Sequence, residues 1–159
     1  MSTVATTTEE RTRVSSPEAP RALDDLLEKS PDELAALYAS AHVPRIDAIR
    51  GDLRGRMLAA PIVSPRVRPL LRSLAGMKGF PWRGKSFRPH GIDRGEGINR
   101  IVSDRFKLFR FETFIAPSRA GDFDAVQLDY DRPGNPWIIR RVKDEIRALQ
   151  SGLYLGQAY

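Results

Sequence analysis

Apolar residues recur along this chain with two periods, and the change from one to the other divides it. Leu23, Leu26 and Leu27 fall at i, i+3 and i+4, one stripe of a helix over 22–29. Ser30-Pro31-Asp32-Glu33 then reads as an N-cap, a first-turn proline and a capping-box acid. A second helix is predicted over 31–41, burying Leu34, Leu37 and Tyr38, with Pro44 helping to end it. Residues 49–60 carry Leu53, Met57 and Leu58 among glycines and arginines, and read as a strand bent at Gly51 or Gly55. Ser64-Pro65 repeats the cap-and-proline start for a short helix over 65–75, with Val67, Leu70, Leu71 and Leu74 at helical spacing and Gly76 at the C-cap position.

From Gly76 the pattern shifts to glycine- and proline-rich sequence that helices do not tolerate. Short strands are predicted over 82–88 and 98–102. Residues 106–116, aromatic and β-branched and closed by Pro117, read as the clearest strand, and 125–130 as the next. A turn cluster, Asp131-Arg132-Pro133-Gly134-Asn135-Pro136, precedes Ile138, Ile139, Val142, Ile146 and Leu149, whose spacing predicts a helix over 137–149. Ser151-Gly152 ends it, and 153–159 read as a last strand. The fold class expected is α+β: an antiparallel, barrel-like sheet with N-terminal helices and one C-terminal helix before the last strand. A terminal strand must pair with something, and closing the sheet is one way.

Composition narrows this further. The chain has 159 residues, 41% hydrophobic and 29% charged, which suits one domain with a proper core. Residues 1–20, rich in Thr, Ser, Glu, Arg and Pro, read as a disordered tail, leaving 21–159 as a single domain. The first residues lack the apolar segment of a secretory signal, and no apolar run is long enough to span a bilayer. The absence of cysteine removes disulfides and thiolate chemistry and fits a cytoplasmic protein. The net charge of +6 is concentrated in residues 45–110. That block either docks on an anionic partner or forms a solvated face whose arginines pair with acids from the two ends of the chain.

Candidate chemistry is sparse. His42 and His90 have no ligand spacing around them, and neither a nucleophile elbow nor a phosphate-binding glycine loop is present, so no metal and no cofactor is expected. Along the strand over 106–116 side chains alternate. Arg110 and Glu112 share one face with Phe106, Leu108 and Phe114; Phe109, Phe111, Thr113 and Ile115 share the other. If the first face points inward, Arg110 and Glu112 form a polar cluster in the barrel, extended by Gln127 and Asp129 from the next strand. If it points outward, they face water and Phe109 and Phe111 fill the core. Trp82 and Phe87 flank basic residues in PWRGKSF, a pattern that stacks bases in some proteins, but no nucleic-acid module accompanies it and nucleic acid is not the expected partner. Asp129, Tyr130, Asp131, Asn135, Arg140, Asp144 and Glu145 are read as a braced turn and a charged helix face in preference to a carboxylate acid/base pair.

PWRGKSF, GINRI, FRFETFIAPSR and LDYDRPGNPWIIRRVKDEIRALQSGLYLGQAY together resemble an uncharacterised bacterial family of lipocalin-like or calycin-like small barrels, over about residues 80–159. The resemblance implies a fold and no catalytic residues. The leading expectation is a protein that holds a small apolar or amphipathic ligand in the barrel, with Trp82, Arg110, Phe111, Glu112 and Asp129 lining the site. The alternatives are a cofactor-independent isomerase or cyclase in the same cavity, using Glu112 or Asp129, and an interaction module docking its basic region.

Overall fold

The computed structural model describes residues 23–55, 58, 82–101 and 107–159. The tail read over 1–20 and the helix read over 65–75 lie outside the described residues. Seven strands make one antiparallel sheet in which each pairs with the next along the chain: β1 (Gly51–Arg54), β2 (Trp82–Pro89), β3 (Arg94–Ile101), β4 (Lys107–Pro117), β5 (Asp124–Asp129), β6 (Lys143–Gln150) and β7 (Leu153–Ala158). One α-helix, α1 (Pro31–Ser40), precedes them. No described helix is long and apolar enough to cross a membrane.

α1 starts where its sequence demands. The Ser30 hydroxyl accepts from the Glu33 amide at 3.3 Å and the Glu33 carboxylate accepts from the Ser30 amide at 2.8 Å, so two otherwise orphaned donors are satisfied reciprocally. The stripe over 22–29 yields only a 3-10 turn, Asp24–Leu26, because one apolar turn without a side-chain cap cannot offset helix nucleation.

The helix expected over 137–149 does not form. Ile139–Arg141 make a 3-10 turn and Lys143–Gln150 form β6, paired on one side with β5 and on the other with β7. The segment fits both periods: its apolar residues have helical spacing, but residues 144, 146 and 148 lie on one face of a strand and 145 and 147 on the other. Both faces are covered, and Glu145, Ile146, Arg147 and Ala148 are all buried. Long-range pairing therefore overrides local preference.

The sheet curls strongly. Lys85 on β2 and Asp144 on β6 form an ion pair of 2.9 Å, although β3, β4 and β5 lie between their strands. At roughly 4.8 Å per strand, a flat sheet would hold β2 and β6 about 19 Å apart, beyond the combined reach of the two side chains. The half-barrel that results encloses Phe87, Phe111, Val126, Leu128, Tyr130 and Ile146 on its concave face. The chain after α1 crosses this face. His42 exchanges both backbone bonds with Ala148 of β6, the Ile46 amide bonds Ile92 in the β2–β3 turn, and Ile46 and Ile49 plug the core between them.

Gly97 lets Phe111 pack closely on the concave face. The Phe111 ring packs directly on it, and a Cβ there would lie 2.3 Å from that ring and 2.5 Å from the Ser86 carbonyl. Phe111 also meets Phe87 and Tyr130 edge-on, both at 5.3 Å between centroids. Gly97→Ala is expected to destabilise the protein by about 1–3 kcal/mol through overpacking, read as a lower urea midpoint at unchanged slope.

Candidate functional site

The concave face ends in a polar cluster built from three strands and the residue after β5. Lys85 projects inward from β2, Asn99 from β3, Asp144 from β6, and Tyr130 follows β5. The Lys85 ammonium donates to Asn99 Oδ1 at 3.0 Å, to Asp144 Oδ2 at 2.9 Å and to the Tyr130 hydroxyl. Tyr130 donates to the same Asp144 oxygen at 2.9 Å. Asn99 accepts from Trp82 Nε1 at 3.1 Å and donates to the Tyr130 hydroxyl and the Phe109 carbonyl, both at 3.2 Å. The rings of Trp82, Phe111 and Tyr130 stand 5.7, 5.4 and 5.2 Å from the ammonium, so the cation sits among three aromatics as well as its hydrogen-bond acceptors.

Every donor of Lys85, Tyr130, Trp82 and Asn99 is thus spent inside the cluster. Asp144 differs. Its Oδ2 takes two hydrogen bonds, while its Oδ1 takes none among the described residues. The side chain is 15% exposed, so that oxygen belongs to a group at the rim of the site, not one sealed in the core.

Burial alone would lower the Lys85 pKa, but the Asp144 carboxylate and the Tyr130 hydroxyl outweigh it and hold the ammonium charged. Burial raises the Tyr130 phenol, and Asp144 raises it further. Both groups therefore hold their protons at neutral pH.

The backbone beside the cluster is strained. Phe109 has φ of +60°, at a register shift between β3 and β4. A bulky residue in that region is an outlier that its surroundings must hold in place. Asn99 holds its carbonyl from one side. From the other, Asn135 accepts from the Arg110 amide at 3.1 Å and donates to the Arg110 carbonyl at 2.7 Å and to the Tyr130 carbonyl at 2.8 Å.

Of the residues singled out from sequence, Trp82 and Phe111 belong to this site. Arg110, Glu112 and Asp129 do not; they lie on the convex side. Phe111 and Thr113 turn inward, which puts the alternate residues of β4 outward. Arg110 is exposed. Glu112 pairs with Arg94 at 3.3 Å and Arg132 at 3.0 Å, and Asp129, its register partner, pairs with Lys143. Lys85, Asn99, Tyr130 and Asp144 were not proposed as a site. The signal for Asp144 is its alternation with Ile146 and Ala148, which a helical reading conceals. Lys85 lies within PWRGKSF, where the aromatics flanking basic residues were read as a base-stacking pattern or as packing, and Trp82 alone was taken into the ligand site.

The basic block is partly neutralised within the fold. Lys85, Arg88, Arg94 and Arg100 pair with Asp144, Glu96, Glu112 and Asp52, at 2.9, 4.0, 3.3 and 3.6 Å.

A second polar cluster lies on the convex face beneath α1. Glu145, fully buried, accepts from Ser118 Oγ at 2.6 Å, the Arg119 amide at 3.1 Å, Gln127 Nε2 at 3.2 Å and the Tyr159 hydroxyl at 3.1 Å. Burial raises its pKa, but these donors more than compensate and hold the carboxyl below its usual value. An open cleft of about 260 Å³ adjoins it, lined by Ala35, Ala39, Arg119, Phe123 and Tyr159 among others.

Two predictions follow from the charges. Breaking the partly buried pair by Lys85→Met or Asp144→Leu alone should each cost up to about 3–5 kcal/mol, because the partner charge is stranded. The double variant should cost much less than the sum, measured as a double-mutant cycle in urea. The pH profile should fall at both ends. Lys85 and Tyr130, with raised pKa values, lend stability that is complete below about pH 10 and is lost as pH rises towards their folded values. Glu145, with a lowered pKa, lends stability that is complete above about pH 4.3 and is lost as pH falls through its folded value. Glu145→Gln should remove its share of the acid limb while leaving the alkaline limb, in unfolding free energies measured across pH.

Comparison of the chain with protein-family models, curated proteins and solved structures finds no match. The functional reading therefore rests on the geometry alone.

Proposed function

We propose that the protein binds a small amphipathic molecule at the Lys85–Asp144 end of the half-barrel. The observation that carries this reading is the Asp144 carboxylate, braced on one oxygen by Lys85 and Tyr130 and open on the other, at the rim of an aromatic wall. The ligand would rest its apolar body against Trp82 and the strained backbone at Phe109, and donate a hydroxyl or N–H to Asp144 Oδ1. Binding sites of this kind are mostly apolar, with a few placed polar groups fixing orientation.

Two energetic arguments support it. An ion pair taken largely out of water adds little net stability compared with apolar residues of the same volume, so stability alone does not account for the cluster. The backbone strain at Phe109 also costs on the order of 1–3 kcal/mol, and such strain gathers at functional sites. The enzyme reading is weaker, because Lys85 and Tyr130 are held protonated and leave Asp144 as the one proton acceptor of the cluster. The docking reading is weaker because acids of the same domain meet much of the basic block.

Native mass spectrometry of the purified full chain, before and after denaturation, tests the proposal. The expected result is a low-molecular-mass adduct that denaturation releases and that Asp144→Asn reduces at least tenfold. An unadorned mass from every preparation would overturn the reading, as would an adduct that Asp144→Asn leaves at full occupancy.

A further inference from the structure

The two ends of the sheet are guarded very differently. β1 is four residues long and carries Asp52 and Arg54, the short, charged edge that discourages pairing with another chain. β7 has neither device. From Leu153 to Tyr159 no side chain is charged and there is no proline.

The ladder between β6 and β7 shows which backbone groups this edge leaves open. Lys143 and Tyr159 exchange both N–H···O bonds, which fixes the alternation of the antiparallel pair. Glu145 with Gln157 and Arg147 with Leu155 are therefore also bonded pairs. Asp144 with Ala158, Ile146 with Gly156 and Ala148 with Tyr154 are the non-bonded ones. The exchange of Ala148 with His42, on the far side of β6, agrees with this phase. Tyr154, Gly156 and Ala158 thus aim their amides and carbonyls away from the sheet. Among the described residues nothing accepts from or donates to them.

We infer that this edge pairs with β7 of a second copy of the chain. The three open residues are evenly spaced and centred on Gly156, so a two-fold axis there satisfies all of them. Gly156 meets Gly156 of the second copy, and Tyr154 meets Ala158 of the second copy in both directions, each pair exchanging both bonds. The side chains suit the register. A large ring lies opposite a methyl, glycine lies opposite glycine, Leu155 lies opposite Gln157, and no like charges meet. A strand pairing alone buries less than the roughly 1,200 Å² typical of stable complexes, so the dimer is concentration-dependent.

The test is sedimentation velocity of the full chain over a concentration series, with two variants. The expected result is a shift from 17.9 kDa towards twice that mass as concentration rises. Ala158→Pro removes an outward amide that β6 does not use, so it should abolish the shift and leave the melting temperature within a few degrees of the parent. Gln157→Cys gives the dimer its only two thiols, one residue to either side of the axis and on the same face of the sheet. A short bis-maleimide should therefore give a cross-linked dimer on a denaturing gel. A monomer at every concentration would overturn the inference, and so would a dimer that survives Ala158→Pro. If the parent is monomeric, hydrogen exchange at Tyr154, Gly156 and Ala158 identifies the alternative: slow exchange means that the same chain covers the edge, fast exchange that the edge is bare.

Discussion

The ion pair between Lys85 and Asp144 sets the shape of this molecule. It joins strands that are not neighbours, and it can exist only if the three strands between them bend round. Within the bend the Phe111 ring packs directly on Gly97, where no side chain would fit. Two isoleucines from the chain after α1, Ile46 and Ile49, pack into the concave face. The pair itself adds little net energy. What it adds is specificity: a slip of one residue in β2 or β6 would turn Lys85 or Asp144 to the opposite face and strand the other charge in the interior.

Asp144 and Glu145 show how a sheet uses that alternation. They are adjacent in sequence, both are carboxylates, and they serve opposite faces. Glu145 accepts four hydrogen bonds from groups under α1 and has nothing left to offer a ligand. Asp144 is shared by a cation and a phenol on one oxygen and keeps the other. Satisfaction separates their roles more clearly than burial does. A carboxylate with every lone pair engaged braces the fold, and one with an unclaimed oxygen at the rim can recognise something else.

The parts of the fold legible in the sequence are those in which local chemistry and tertiary environment agree. The capping box at Ser30 starts α1, and the aromatic run of β4 is a strand that buries Phe111 and Thr113. β6 was not legible, because polar residues occupy covered positions on both of its faces. Periodicity assumes that polar means exposed. Glu145 and Arg147 are nearly inaccessible, so the only pattern left visible was the helical one. The site was hidden for the same reason. Lys85 looks like one more member of a basic block until a carboxylate almost sixty residues later is brought against it. Arg110 and Glu112 drew attention as a pair of opposite charges on one strand, but β4 buries only one face, and Phe111 and Thr113 occupy it.

The unpaired edge and the candidate site are connected through the register of the last two strands. Ala158, whose amide points off the sheet, lies directly opposite Asp144. β6 is held on its other side by β5 only as far as Val126, and beyond that by the single bridge to His42. Its position therefore depends heavily on β7, and β7 is secured along one edge alone. A strand added at Tyr154, Gly156 and Ala158 would limit the fraying of β7 and, through the Asp144–Ala158 pair, the freedom of the carboxylate at the rim. Assembly and ligand recognition would then be coupled across one register pair, with no change of fold required, because each would draw on the ordering of the same strand.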